Sequence, residues 1–468
     1  MRGVATFVSL LLVGGCAVKP RLQPQEIVLD RDDIVIDRDT VVRPGHYGVR
    51  DANGDGVLHV VADGVTLTLA GVTLDGAAGG GMPDAFEGIG VSVANHERVV
   101  ITGGAVKGFR VGVRAANANA LRLEGVDVSN NRAMRLRSTP QREDPADWLW
   151  PHENDKGEWE TRYGAGISLV GCDDAVVKHC CARTTQNGLL LTRCRNALVE
   201  ENDFSFLSGW GVAMYRSTHC DIVRNRCDFC VRGYSHGVYA RGQDSAAILM
   251  FEQCSNNLIE GNSGTHSGDG LFLYAGHETT QRTGRGGSNE NKVVHNDFSH
   301  AVANGIEATF SRGNVFLANI LDGCDHGVWA GYSYETEIRG NTIRDCANGI
   351  SIEHGHDNVI EGNTIERCRL GVHLWWDDDK DLLASVYGQR NDTSSSRNVV
   401  VGNRMVGGTT PIRLDRDTES RVQQNGADIL VAQDAAGPAA FHPSMPRGRE
   451  HIVIGEWGPL DPRHPALV

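Results

Sequence analysis

The side chains able to do acid–base chemistry in this 468-residue chain concentrate between positions 236 and 326. Glu252 and Glu307 are expected to supply a carboxylate pair, with Asp269 between them and His236, His326 and Arg241 completing the ionisable set. Two carboxyls about 6.5–9.5 Å apart serve an inverting glycosidase, one as acid and one as base. The other chemistry open to this set is removal of the proton alpha to a uronate carboxylate. There His236, His326 or Tyr239 would be the base and Arg241 the electrophilic partner. Tyr239, Tyr274, Trp329, His373, Trp375 and Asp244 are the expected substrate-binding groups. They offer flat apolar faces for pyranose rings and polar tips for hydroxyls.

A repeat must position them. Gly188, Gly211, Gly270, Gly305, Gly327, Gly349 and Gly371 each head a short run, several of them 22 or 23 residues apart. One and three residues after the glycine stand Leu189/Leu191, Val212/Met214, Leu271/Leu273, Ile306/Ala308, Val328/Ala330, Ile350/Ile352 and Val372/Leu374. Apolar alternation with period two marks a strand with one buried face. Fourteen residues after the glycine come Asn202, Asn225, Asn319, Asn341 and Asn363, which suits a tight left-handed bend and a stacking amide. Ile248 and Pro411 join the glycine slot because Asn262 and Asn425 follow at the same offset. A period near 22 with two or three short strands is one coil of a parallel β-helix, and the chain holds about a dozen such coils. The predicted class is all-β, one solenoid with loop insertions.

Outward positions two and four residues after the glycine then read Ala213/Tyr215, Met250/Glu252, Phe272/Tyr274, Glu307/Thr309, Trp329/Gly331, Ser351/Glu353 and His373/Trp375. Two coils and two residues put the Glu252 and Glu307 Cα atoms roughly 11–12 Å apart. Insertions at about 135–163, 231–247, 275–288 and 376–396 flank these strands at both ends and are expected to wall the same face into a groove.

Composition excludes other classes. Lys+Arg 45 against Asp+Glu 59 gives a formal charge of −14, which argues against general nucleic-acid binding. Of the 12 cysteines, Cys324, Cys346 and Cys368 are spaced by 22, and Cys172, Cys194 and Cys254 share one slot, so buried thiol ladders are expected. Asp51-Ala52-Asn53-Gly54-Asp55-Gly56 matches the start of a calcium loop, but Ala62 stands where the glutamate belongs, so a turn is expected. Calcium therefore stays open without being required. Glu353-His354-Gly355-His356-Asp357, with His373 one coil later, is a weak metal pattern, and no metal ligand is assigned. The chain shows no Gly-rich phosphate loop, no nucleophile elbow and no H-E-x-x-H motif.

Residues 1–15 read as an export signal, a basic start and a short apolar run. Val13-Gly14-Gly15 before Cys16 resembles a bacterial lipobox, which implies lipidation of Cys16. Ala17 after it implies outer-membrane sorting, hence a protein held in the cell envelope facing the periplasm or the exterior. The expected division is signal peptide 1–15, N-terminal anchor and capping segment 16–54, β-helix 55–430 and C-terminal capping tail 431–468. Over roughly 55–430 the coils resemble the right-handed parallel β-helix superfamily of pectate lyases, several glycoside hydrolases and polysaccharide epimerases. They are also similar to NosD-type periplasmic proteins linked to copper-enzyme maturation. The resemblance implies a right-handed, single-domain solenoid and a carbohydrate-active lyase, hydrolase or epimerase acting on a polysaccharide or oligosaccharide. The alternative is a non-catalytic carbohydrate-binding scaffold or a NosD-like factor. A monomer, with no nucleic-acid partner and a membrane contact only through the anchor, is expected.

Overall fold

Short apolar–polar alternations become strands of two to six residues, and in the long sheets their inward residues stack in register. Leu198–Glu200, Leu258–Glu260 and Val359–Glu361 each bury only their middle residue, as a one-sided strand must. The computed structural model describes residues 23–429 and 446–461, and Cys16 lies outside them. Every long-sheet pairing is parallel and joins one coil to the next. A 15-stranded sheet runs from Gln25–Ile27 to Arg421–Gln423, and a 14-stranded sheet from Ile34–Ile36 to Thr410–Asp415. A third face is ordered as three-stranded patches at its ends. Between them single-residue parallel bridges run Asp127, Cys181, Asp203, Arg226, Ser263, Asp297, Ile320. The chain is an all-β parallel β-helix.

The long sheets begin at Gln25, ahead of the expected boundary at residue 55. Within the tail, Ile452 packs with Phe206, Phe229, Val231 and Val302 on a flank of the middle coils, and Glu456 O accepts from Leu136 N at 2.8 Å. Among the described residues no helix is long and apolar enough to cross a membrane.

An asparagine ladder runs along most of the stack. From Asn202 through Asn225, Asn262, Asn296, Asn319, Asn341, Asn363 and Asn403 to Asn425, each Nδ2 donates to the next Oδ1 at 2.8–3.1 Å. Each Oδ1 also accepts the backbone N–H of the preceding asparagine, for example Asn319 N to Asn341 Oδ1 at 2.8 Å. The left-handed residue of the bend is not the asparagine. It is the residue before it: Glu201, Arg224, Gly261, His295, Ala318, Gly340, Gly362, Gly402 and Gln424 all have φ between 51° and 66°. The asparagine is kept for its amide, which is buried at every rung from Asn202 to Asn403.

The glycine slot is set by close approach. A Cβ on Gly211 would stand 2.5 Å from Ala247 O and 2.7 Å from Cys227 Cβ. This register also moves one coil. Val212 pairs with Ile248, so Ala247 occupies the glycine slot and the frame around Glu252 shifts by one residue. Glu252 and Gln253 absorb the extra residue, both at positive φ (54° and 61°). The described cysteines are unbridged and all but Cys181 are buried. Burial pushes the Cys180 and Cys254 thiols up to about 12, so they stay protonated and inert at neutral pH.

Replacing Asn319 with leucine leaves Asn296 N–H, one Asn296 amide hydrogen and Val293 O without partners inside the coil stack. The expected cost is about 3 kcal/mol or more, read as a lower denaturation midpoint than that of the wild-type solenoid. An unchanged midpoint would show that the amide ladder is dispensable.

Candidate functional site

The outward face of the 14-stranded sheet is covered at one end and open at the other. Leu149, Trp159 and Tyr163 of the 135–163 insertion pack onto Leu190, Trp210, Ala213, Tyr215, Leu249 and Phe251. Tyr215 and Phe251 are therefore buried, and Met250 points into the solenoid core. The groove does not extend over these coils as expected, because the insertion is apolar enough to form a second core there. Arg232 locks it down: its Nε donates to Asp147 O at 2.6 Å, its Nη1 donates to Ser208 Oγ at 2.8 Å, and Asp147 Oδ1 lies 3.5 Å from its Nη2.

Where the insertion ends, three carboxyls lie close enough to act on one another's charge. Asp269 is the first residue of the strand Asp269–Tyr274, Glu307 lies on Asn304–Ala308, and Asp244 closes the loop after the hairpin of Gly233–Ser235 and Tyr239–Gly242. Asn304 ties two of them together, donating its backbone N–H to Asp269 Oδ1 at 2.8 Å and its Nδ2 to Glu307 Oε2 at 2.7 Å. Burial pushes Asp244 up to about 6, opposed by the Arg241 guanidinium. Burial, with Asp244 adding to it, pushes Asp269 up to about 7. Glu307 is raised well above the usual carboxylate range, first by burial and then by Asp269 and Asp244. Carboxyls crowded in a shielded place cannot all ionise, so they share protons at neutral pH.

Polar and aromatic residues continue the face. By register Asp269 is followed coil by coil by Asn304, His326 and Asn348, and Phe272 by Glu307, Trp329, Ser351 and His373. Asn348 Oδ1 accepts from Arg369 at 3.1 Å, so its Nδ2 is the donor to His326 Nε2 at 2.9 Å. His326 Nδ1, 3.3 Å from Asp325 Oδ2, then carries the proton. Trp329 stands edge-on to His326 at 5.2 Å and 5.7 Å from Trp375, whose ring stacks on His373 at 4.1 Å. His373 Nε2 reaches Asp415 Oδ2 at 2.8 Å. Tyr274 lies near the acids, and burial followed by Glu307 and Asp244 raises its phenol.

Other expected residues stand apart. Glu252 is 1% exposed, its Oε1 accepts from Thr279 Oγ1 at 2.5 Å, and its Oε2 has no partner. It lines a separate cavity of about 340 Å³ with Tyr215, Arg216 and His277, so the Glu252–Glu307 pair gives way to Asp244, Asp269 and Glu307. The physical reason is the one-residue register shift, which turns Glu252 off the outward column. Tyr239 OH donates to Thr139 O at 2.9 Å and fastens the hairpin to the first insertion. Arg241 lies over the Trp148 ring at 5.9 Å. His236 is held by Tyr234 OH at 2.7 Å, and Tyr234 belongs to the flank cluster around Ile452. The Asp51 carboxylate is occupied by backbone N–H groups, from Gly54 at 2.7 Å and Ile89 at 2.8 Å. Asn304 and Asn348 were missed, although the residue before each glycine slot reads Asp269, Asn304, His326, Asn348 and marks a polar column.

Comparison with known proteins supports this architecture. A family model described as periplasmic copper-binding protein (NosD) matches residues 243–388, and one described as right handed beta helix region matches 165–282. Among solved structures, the A-module of Azotobacter vinelandii mannuronan C-5 epimerase AlgE6 is similar at 14% identity and a TM-score of 0.51, over 82% of this chain and 91% of that one. The A-module of AlgE4 from the same organism gives 14% and 0.51 over 73% and 90%. No curated protein matches significantly. At this identity the likeness concerns the fold, a right-handed parallel β-helix.

The raised Asp269 carboxyl carries a sign for stability. Its native value of about 7 lies above the ordinary value near 3.9, so the native state binds more protons than the unfolded state between these values. Its contribution is fully present below about pH 4 and is lost as pH rises through about 7. Asp269→Asn is expected to raise the thermal midpoint at pH 8 by about 2–4 °C and to leave it unchanged near pH 4. A gain of the same size at both pH values would rule out the buried-acid account.

Proposed function

We propose that this protein is a cell-envelope glycoside hydrolase that binds a neutral polysaccharide across the Tyr274–Trp329–Trp375 face and cleaves it at the Asp244–Asp269–Glu307 cluster. The observation that carries the reading is the set of three crowded carboxyls with raised proton affinities beside aromatic platforms. Environments that push acids apart assign the roles. Glu307, raised well above the usual carboxylate range by burial and then by Asp269 and Asp244, gives its proton to the glycosidic oxygen. Asp244, pushed up by burial only to about 6 and favoured as an anion by Arg241, takes a proton from water as the water oxygen attacks the anomeric carbon. The C–O bond breaks and the leaving sugar keeps the proton from Glu307; Asp244 then releases the proton it took from water to solvent, and solvent supplies a new proton to Glu307. Asp269, anchored by Asn304 N–H, is a positioning residue that raises the proton affinity of Glu307.

Charge favours a neutral glycan. A uronate would bring another anion to three carboxyls, and Arg241 is turned onto Trp148. The lyase and epimerase readings require a cation at the substrate carboxylate. The same proposal places the chain in the envelope as a monomer tethered through lipidated Cys16. The periplasmic description of one matching family model and the lipobox-like Val13-Gly14-Gly15-Cys16 support that location.

The test is a panel of neutral and uronate polysaccharides, following reducing ends and the ultraviolet absorbance of unsaturated sugar together. New reducing ends without unsaturation are expected on a neutral glycan, with a rate loss of about 10²–10⁴ in Glu307→Gln. The pH–rate profile should rise near 6 as Asp244 ionises and fall at higher pH as Glu307 does. In Asp269→Asn the falling limb should move to lower pH. Unsaturated product, or full activity in Glu307→Gln, would overturn the hydrolase.

A further inference from the structure

A second ionisable group lies at the far rim of the same face, where the 376–396 insertion leaves the strand Leu370–Trp375. Glu353, His354 and Asp377 each place a ligand atom within 4.8 Å of the others. His354 is completely buried, and its Nδ1 lies 2.7 Å from Thr393 O. A carbonyl can only accept, so Nδ1 carries a hydrogen, and in a neutral ring Nε2 presents its lone pair. That lone pair faces Asp377 Oδ1 at 3.3 Å. Two acceptors aimed at each other repel, and a cation held between them removes that repulsion. The Asp377 N–H also donates to Nε2 at 3.5 Å, a long hydrogen bond that leaves the lone pair turned toward the Asp377 residue.

We propose that Glu353, His354 and Asp377 bind a divalent first-row transition cation, with water completing its coordination. Two ligands of one ion at about 2.0–2.2 Å each stand roughly 3.0–3.4 Å apart, and the Nε2–Oδ1 separation is 3.3 Å. One imidazole with two carboxylates is a borderline-to-hard donor set suited to zinc or manganese. Trp375 Nε1 donates to Glu353 Oε1 at 3.2 Å and orients that ligand, as the Thr393 carbonyl orients His354. Asp379 is committed to Leu382 N at 2.9 Å and Tyr332 OH at 2.8 Å. The neighbouring His356 belongs to another cluster, bonded to Asp357 at 2.7 Å and stacked on Tyr334.

The ion would clip the insertion shut. Asp377 begins it and Thr393 closes it, and both are fastened through His354 to the groove strand. This inference does not depend on the glycosidase reading. The test is calorimetric titration of the apo protein with zinc chloride, zinc content by mass spectrometry, and limited proteolysis of 376–396 with and without zinc. One zinc per chain is expected, with proteolysis slowed several-fold. Asp377→Asn and His354→Gln should weaken binding at least tenfold, and His356→Gln should leave it unchanged. Asp377 is 60% exposed on its side chain, so Asp377→Asn keeps the test valid should the buried variant misfold. No zinc binding, or binding that Asp377→Asn leaves intact, overturns the site and assigns the charge between Nε2 and Oδ1 to a proton.

Discussion

The buried asparagine ladder is the constraint on which everything else rests. Each amide bonds the coils on both sides, so a coil that slips by one residue loses several buried hydrogen bonds at once. The ladder therefore sets register independently of coil length. Where a coil carries an extra residue, the excess is expelled into a bend, as at Glu252 and Gln253, and the amide stays in line. Long insertions are tolerated for the same reason, since they leave and rejoin the coil between fixed rungs.

Fixed register makes chemistry by stacking. Side chains in one column are held about 4.8 Å apart, whatever their charge. Asp269 and Glu307 are brought together across adjacent coils and bridged by Asn304, and the hairpin adds Asp244. In water these acids would ionise and separate. On a rigid sheet they cannot move apart, and burial together with their mutual repulsion raises their proton affinity. Insertions do the rest: the first buries the face of the earlier coils, and the fourth closes on His354.

Much of this was legible from residue order. The glycine and asparagine slots, the inward apolar pairs and the cysteine ladders follow from short-range repetition, because a coil repeats the same local environment. Glu307, Trp329, His373 and Trp375 fall on the outward columns by counting alone. Counting failed where a coil was longer than its neighbours. Glu252 looked outward only because Ile248 was given the slot that Ala247 holds. Asn296 and Asn403 were passed over because insertions separate them from their repeats.

The sequence by itself thus determined the fold, its period and the identity of most outward columns, since these depend on interactions between equivalent slots. Only the tertiary structure decided which columns are open, which acids share protons and which histidine faces a carboxylate. Those outcomes depend on where the insertions fold back. Trp159 became core, Tyr239 a fastener to Thr139 and Asp377 a partner of His354 through contacts between segments that no period relates.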